Sequence, residues 1–123
     1  MQISCPFELR LKRNRTTWSC RVSLVFTHDA SGEILSHTRR KNFGEVILDP
    51  SELNDRLVRA QEAILSPSTD PDRFLRRSLS VSRTGGFSKN YVSIEIQGPE
   101  VPDLSFYDLP GGFGLTYQIL STY

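Results

Sequence analysis

The chain has 123 residues, 37% hydrophobic and 24% charged, enough for one domain with a modest core that buries about two-thirds of the unfolded surface. A net charge of +1 excludes a global pull toward nucleic acid or a membrane surface. No run approaches the roughly 18 apolar residues of a membrane span, and Met1 to Arg15 carries Arg and Lys where a secretory leader needs an apolar stretch. The chain therefore reads as soluble and cytoplasmic, with Cys5 and Cys20 as reduced thiols.

Phe7, Leu9 and Leu11 alternate with Glu8, Arg10 and Lys12, and Trp18, Cys20, Val22, Leu24 and Phe26 alternate with polar or smaller neighbours. Two half-buried strands thus flank Asn14 to Thr17. Paired as a hairpin, they set Leu11 opposite Cys20, Leu9 opposite Val22 and Phe7 opposite Leu24, and Cys5 falls too far from Cys20 for a disulfide. Asp29-Ala30-Ser31-Gly32 has turn chemistry, and Ile34-Leu35 opens a short third strand. Asp49 with Pro50 and Glu52 forms a helix start of capping-box type, and Leu53, Leu57, Ala60 and Ile64 recur at helical spacing up to Ser66-Pro67. From Pro67 to Ser88 the periodicity fails, broken only by Phe74-Leu75 and Leu79, and residues 66–88 read as a mobile loop. Its arginines lack the interleaved aromatics of a single-strand binder, so no nucleic-acid partner is expected.

Tyr91-Val92-Ser93-Ile94-Glu95-Ile96 is an alternating strand. After Gly98-Pro99, Leu104 to Tyr107 is a nearly continuous apolar one, expected nearer the centre of a sheet and antiparallel to the strand before it. Other chemistry is poorly supported. His28 and His37 have no ligand-spaced Cys or Glu, Ser66, Ser78 and Ser80 lack a nucleophile elbow, Gly112-Phe113-Gly114 lacks the helix of a dinucleotide loop, and Arg76-Arg77-Ser78 is an ordinary basic-serine run. The strand ending Asp108-Leu109-Pro110-Gly111 is different. A carboxylate at a strand's C-terminal edge can hold a magnesium-bound water, and a glycine three residues on can bring its N–H against a terminal phosphate, since no Cβ blocks the approach. Taken alone, Asp-x-x-Gly is as much a turn signature.

The run Phe87 to Pro99 leading into Pro102-Asp103-Leu104-Ser105-Phe106-Tyr107-Asp108-Leu109-Pro110-Gly111 resembles the dynamin family of large GTPases. There a strand ending in Gly-Pro is followed by Pro-Asp-Leu, an apolar strand and Asp-Leu-Pro-Gly. Cys5-Pro6-Phe7-Glu8-Leu9-Arg10-Leu11 is similar to the family segment that leaves switch I as Thr-Arg-Cys-Pro, and the helix ending Ala60-Gln61-Glu62-Ala63-Ile64-Leu65 lies where the family carries one. The resemblance covers residues 3 to 111. It implies an α/β fold, part of a P-loop GTPase domain of dynamin type over residues 1–111 with a divergent tail over 112–123, built on a mixed, partly antiparallel sheet and one amphipathic helix. It also implies GTP and magnesium as ligands, with Asp108 holding a magnesium-bound water and Gly111 donating its N–H to the γ-phosphate.

The chain departs from the family pattern at three places. Ile3 stands where the switch I threonine belongs, and the sequence has neither Gly-x-x-x-x-Gly-Lys-Ser/Thr nor Thr-Lys-x-Asp. The resemblance therefore implies a chain inactive by itself, with a non-catalytic module that pairs with a full-length dynamin-like protein as the alternative. Membrane contact is then expected only through a complete relative.

Overall fold

The computed structural model describes residues 5–76 and 88–108, the last three by backbone alone. In chain order it comprises β1 (Phe7–Arg13), β2 (Ser19–His28), β3 (Ile34–Asn42), a 3-10 turn (Pro50–Glu52), α1 (Leu53–Ile64), α2 (Asp72–Arg76), β4 (Tyr91–Gly98) and β5 (Leu104–Asp108). The five strands form one mixed sheet in the order β3-β2-β4-β1-β5, parallel only between β1 and β4.

This order corrects the hairpin expected from the alternation, because β4 lies between β1 and β2. The cross-strand rows survive with one β4 residue inserted into each: Leu11–Ile96–Cys20, Leu9–Ile94–Val22 and Phe7–Val92–Leu24. Alternation fixes which residues share a face and stand level, but it carries no information on which strand is the immediate neighbour. Val92, Ile94 and Ile96 are fully buried, and β4 takes the central position. It presents the apolar set that both flanking strands need.

β5 is likewise displaced. It runs opposite to β4 as expected, but it pairs with β1 and is an outer strand among the described residues. The link between β4 and β5 passes the end of β1, where the Arg13 N–H donates to Asp103 Oδ1 at 2.8 Å and Arg13 Nε donates to the Val101 carbonyl at 3.3 Å. Val101 is buried at this crossing. A link that short is compatible with a direct hairpin or with a passage around one strand, and these contacts select the passage.

One face of the sheet carries the core. Phe7, Leu9, Leu11, Cys20, Val22, Leu24, Phe26, Val92, Ile94 and Ile96 pack with Leu53, Leu57, Ala60 and Ile64 of α1. The helix start is as read from sequence: Asp49 Oδ1 accepts from the Ser51 N–H at 3.0 Å with Pro50 in the first turn, which is closed in 3-10 form by the Glu52 N–H to the Asp49 carbonyl. Within the segment expected to be a loop, α2 is a short helix whose Phe74 is buried in the same core. Its carbonyl accepts from Arg59 Nη1 at 3.0 Å. An isolated aromatic in a polar stretch has no periodicity, so nothing in the sequence marks it as an anchor. Both cysteines are free and buried, and burial pushes each thiol up to about 12.

The opposite face is polar. Ser93 Oγ donates to Glu8 Oε1 at 2.8 Å, Arg10 Nε lies 3.1 Å from the same oxygen, and Arg40 Nη2 approaches it at 3.7 Å. Glu8 is nearly buried but ringed by donors, which is the condition for keeping a carboxylate out of water.

Candidate functional site

The two segments that carry the family resemblance are far apart in sequence, and the sheet brings them together. In the antiparallel β1–β5 ladder Asp108 stands opposite Phe7, the first residue of β1 after Cys5-Pro6. The same rim holds the start of β4, through the Val92 N–H donating to the Pro6 carbonyl at 3.2 Å, and the end of β2, where Leu24 pairs with Val92. Paired with the first residue of β1, Asp108 stands at the sheet's rim, a position from which a carboxylate can face a ligand. Gly111 and Ile3 lie outside the described residues, as does the side chain of Asp108.

Further along the same rim, β2 is tied to the start of β4. At the register shift between Phe26 and His28, Asn90 Oδ1 accepts from the N–H groups of Thr27 at 2.8 Å and His28 at 2.9 Å, while Asn90 Nδ2 donates to the His28 carbonyl at 3.2 Å. An amide side chain replaces the ladder where the strand slips out of register. The adjoining turn is held by Asp29, whose Oδ1 accepts from Ser31 Oγ at 2.7 Å and from the Glu33 N–H at 3.0 Å. These bonds, the Ser31 hydroxyl first, keep its carboxyl below the usual range. Sequence reasoning identified the Asp29 turn but missed Asn90, which sits in a polar run with no local signal of its long-range role.

The donor set can be compared with what magnesium and GTP require. Magnesium takes an octahedral shell of oxygens, and P-loop enzymes supply a hydroxyl and a lysine beside the triphosphate. The resemblance assigns to this chain one carboxylate and one backbone N–H, and among the described residues no three His, Cys, Asp or Glu side chains cluster as metal ligands do. That set fits a contribution to such a site and does not fit the whole of it. No helix among the described residues is long and apolar enough to cross a membrane.

No family model matches the chain. Curated relatives do. It is 28% identical over 109 residues to the interferon-induced GTP-binding protein Mx of Dicentrarchus labrax, a match covering 87% of this chain and 12% of that protein. It is 28% identical over 107 residues to the Mx2 protein of Sus scrofa, covering 87% and 10%, and 29% identical over 109 residues to the Mx1 protein of Otaria byronia, covering 87% and 12%. The chain therefore spans only about a tenth of the length of these relatives. The relatives are GTPases of the dynamin family, and the resemblance to part of a dynamin-type G domain extends over most of the chain.

Proposed function

We propose that this chain builds the switch-side strands of a P-loop GTPase domain of dynamin type, and that its role in nucleotide chemistry is to hold Asp108 and Gly111 against the magnesium and γ-phosphate of GTP. The observation that supports this most is the pairing of Phe7 with Asp108, which joins at one rim the two segments that resemble the family's switch I exit and Asp-Leu-Pro-Gly motif. Bound magnesium supplies charge neutralisation of the triphosphate. Asp108 orients one of its waters, and Gly111 offers its N–H where a side chain would obstruct. The buried free thiols fit a reducing compartment such as the cytoplasm.

By itself the 123-residue chain holds GTP too weakly to saturate. Phosphoryl transfer rests on positioning and electrostatics, and the lysine, the hydroxyl and the loop of backbone amides that supply most of both are not in this sequence. Titration calorimetry of the chain with GTP, with and without magnesium, is expected to give only heats of dilution. Micromolar, magnesium-dependent affinity would contradict the reading.

A second reading is a non-catalytic module that pairs with a full-length dynamin-like protein. It is favoured by β5, an outer strand among the described residues whose Leu104 is half exposed, since a strand edge without a neighbour is a template for association. Co-purification with such a partner, lost on placing proline at Ser105, is its test.

A further inference from the structure

On the far flank of the sheet from β5, β3 and the segment from Pro67 to Pro71 enclose a cleft of about 560 Å³, lined by Phe26, Arg39, Arg40 and Lys41 on the strand side and by Ser68, Thr69 and Asp70 on the other. We propose that this cleft binds a small soluble phosphate monoester, with Arg39 and Lys41 gripping the phosphate and Phe26 packing against the organic part.

The strand's alternation sorts its three cations. Arg39 and Lys41 stand opposite Phe26 and Leu24, both core residues, so they project on the helical side of the sheet, where the cleft lies. Arg40 turns to the other face toward Glu8. Two residues along a strand separate Arg39 from Lys41 by about 7 Å, a spacing that lets two cations address one dianion from adjacent sides. Ser68 and Thr69, which carry hydroxyl groups, line the opposite wall.

The cations are available at small cost. Arg39 stacks over the Phe26 ring at 5.8 Å and has no carboxylate partner among the described residues. Lys41 is held by Asp72 at 3.5 Å, but both side chains are nearly half exposed, and ion pairs of that kind are weak enough for an incoming dianion to displace. Asp70, the acidic group in the lining, spends Oδ1 on the Asp72 N–H at 3.1 Å. A bare phosphate would leave most of the cleft empty. The volume lies in the range of small-molecule sites, and the rings of Phe26, Pro67 and Pro71 supply apolar wall for an organic group. Prolines at both ends restrict the loop's backbone, so the wall loses little freedom when a ligand enters. The proposal is independent of the GTPase reading, because three strands separate this flank from β5.

The test is a two-dimensional amide NMR titration of the 123-residue chain with phenyl phosphate, run beside sodium phosphate, phenol and sodium chloride at matched ionic strength. Saturable shifts concentrated at Arg39, Lys41, Ser68 and Thr69 are expected with phenyl phosphate, and weaker binding with each half of the ligand alone. Arg39→Gln, an exposed change that leaves the core intact, should weaken phenyl phosphate by about tenfold, the loss of one charge-assisted bond. Shifts no larger than those of sodium chloride, unchanged affinity in R39Q, or inorganic phosphate binding as tightly as phenyl phosphate would each overturn the proposal.

Discussion

The residue with most structural leverage near the candidate site is Asn90. Its side chain satisfies two backbone N–H groups of β2 and one carbonyl, and it is 5% exposed, so water cannot take its place cheaply. Asn90→Ala should cost about 2–4 kcal/mol, from two buried donors left unpaired. Urea denaturation measures this, and a loss below 1 kcal/mol, roughly one ordinary hydrogen bond, would show that the register shift holds without the amide. Gln61 poses the opposite case: it is fully buried on α1, and neither its Nε2 nor its Oε1 has a partner among the described residues. Gln61→Leu, similar in volume and free of polar atoms, should stabilise the protein by about 1 kcal/mol. A destabilised variant would contradict that account.

The thiols give a pH dependence with a definite sign. The unfolded chain releases these protons near pH 9, while the folded chain holds them to about 12. Between those values the folded state binds more protons, so the thiols' contribution to stability is intact below about pH 9 and falls as pH rises toward 12. Correspondingly, Cys5 and Cys20 should resist a thiol-directed disulfide reagent at pH 8 in the native protein, and both should react in denaturant. Rapid native labelling of either would contradict their burial.

Among the elements, the connection from β3 to α1 is held by one arginine around one glycine. Arg56 Nη1 donates to the carbonyls of Phe43 at 3.0 Å and Glu45 at 2.9 Å, enclosing Gly44, whose φ of 81° lies in the left-handed region. A Cβ at that position would collide with the Arg56 guanidinium. Gly44→Ala should therefore cost more than the roughly 1–2 kcal/mol of the dihedral alone, measured by denaturant midpoint. A cost under 1 kcal/mol, below even the dihedral penalty of about 1–2 kcal/mol, would mean that residue 44 does not hold the left-handed conformation in the folded loop.

What the sequence made legible follows from which signals are local. The α1 boundaries were readable because Asp49-Pro50 and the spacing of Leu53, Leu57, Ala60 and Ile64 act within a few turns. For β1, β2 and β4, strand existence, facing and even the row Leu9–Val22 were readable from period-two alternation, whereas β3, expected as a short strand from Ile34-Leu35, runs to Asn42 through polar residues that carry no such pattern. Strand order was not, because nothing in Phe7 to Phe26 says that Ile94 will stand between Leu9 and Val22. The passage of the β5 link around β1 depends on Arg13 meeting Asp103, a contact between residues with no neighbouring pattern. That a strand leads into Asp108 was legible. Its pairing opposite Phe7 was not.

At the scale of the molecule, the sheet is asymmetric. One face carries the apolar core under α1 and α2, and the other carries Glu8, Arg10, Ser93 and Arg40 in one charged network. The edges differ as well: β3 carries Arg39, Arg40 and Lys41, charges that discourage strand addition, whereas Leu104 and Ser105 begin β5 without any. If the chain supplies the switch-side strands of a larger G domain, β5 is the side on which further strands are added.

That account depends on β4 lying between β1 and β2, because this order leaves β1 free to pair with β5 and bring Asp108 to Cys5-Pro6-Phe7. Nuclear Overhauser contacts across the sheet measure it directly. The account predicts backbone contacts from Leu9 to Ile94 on one side and to Phe106 on the other, with none to Val22. Direct backbone contacts between Leu9 and Val22 would contradict it.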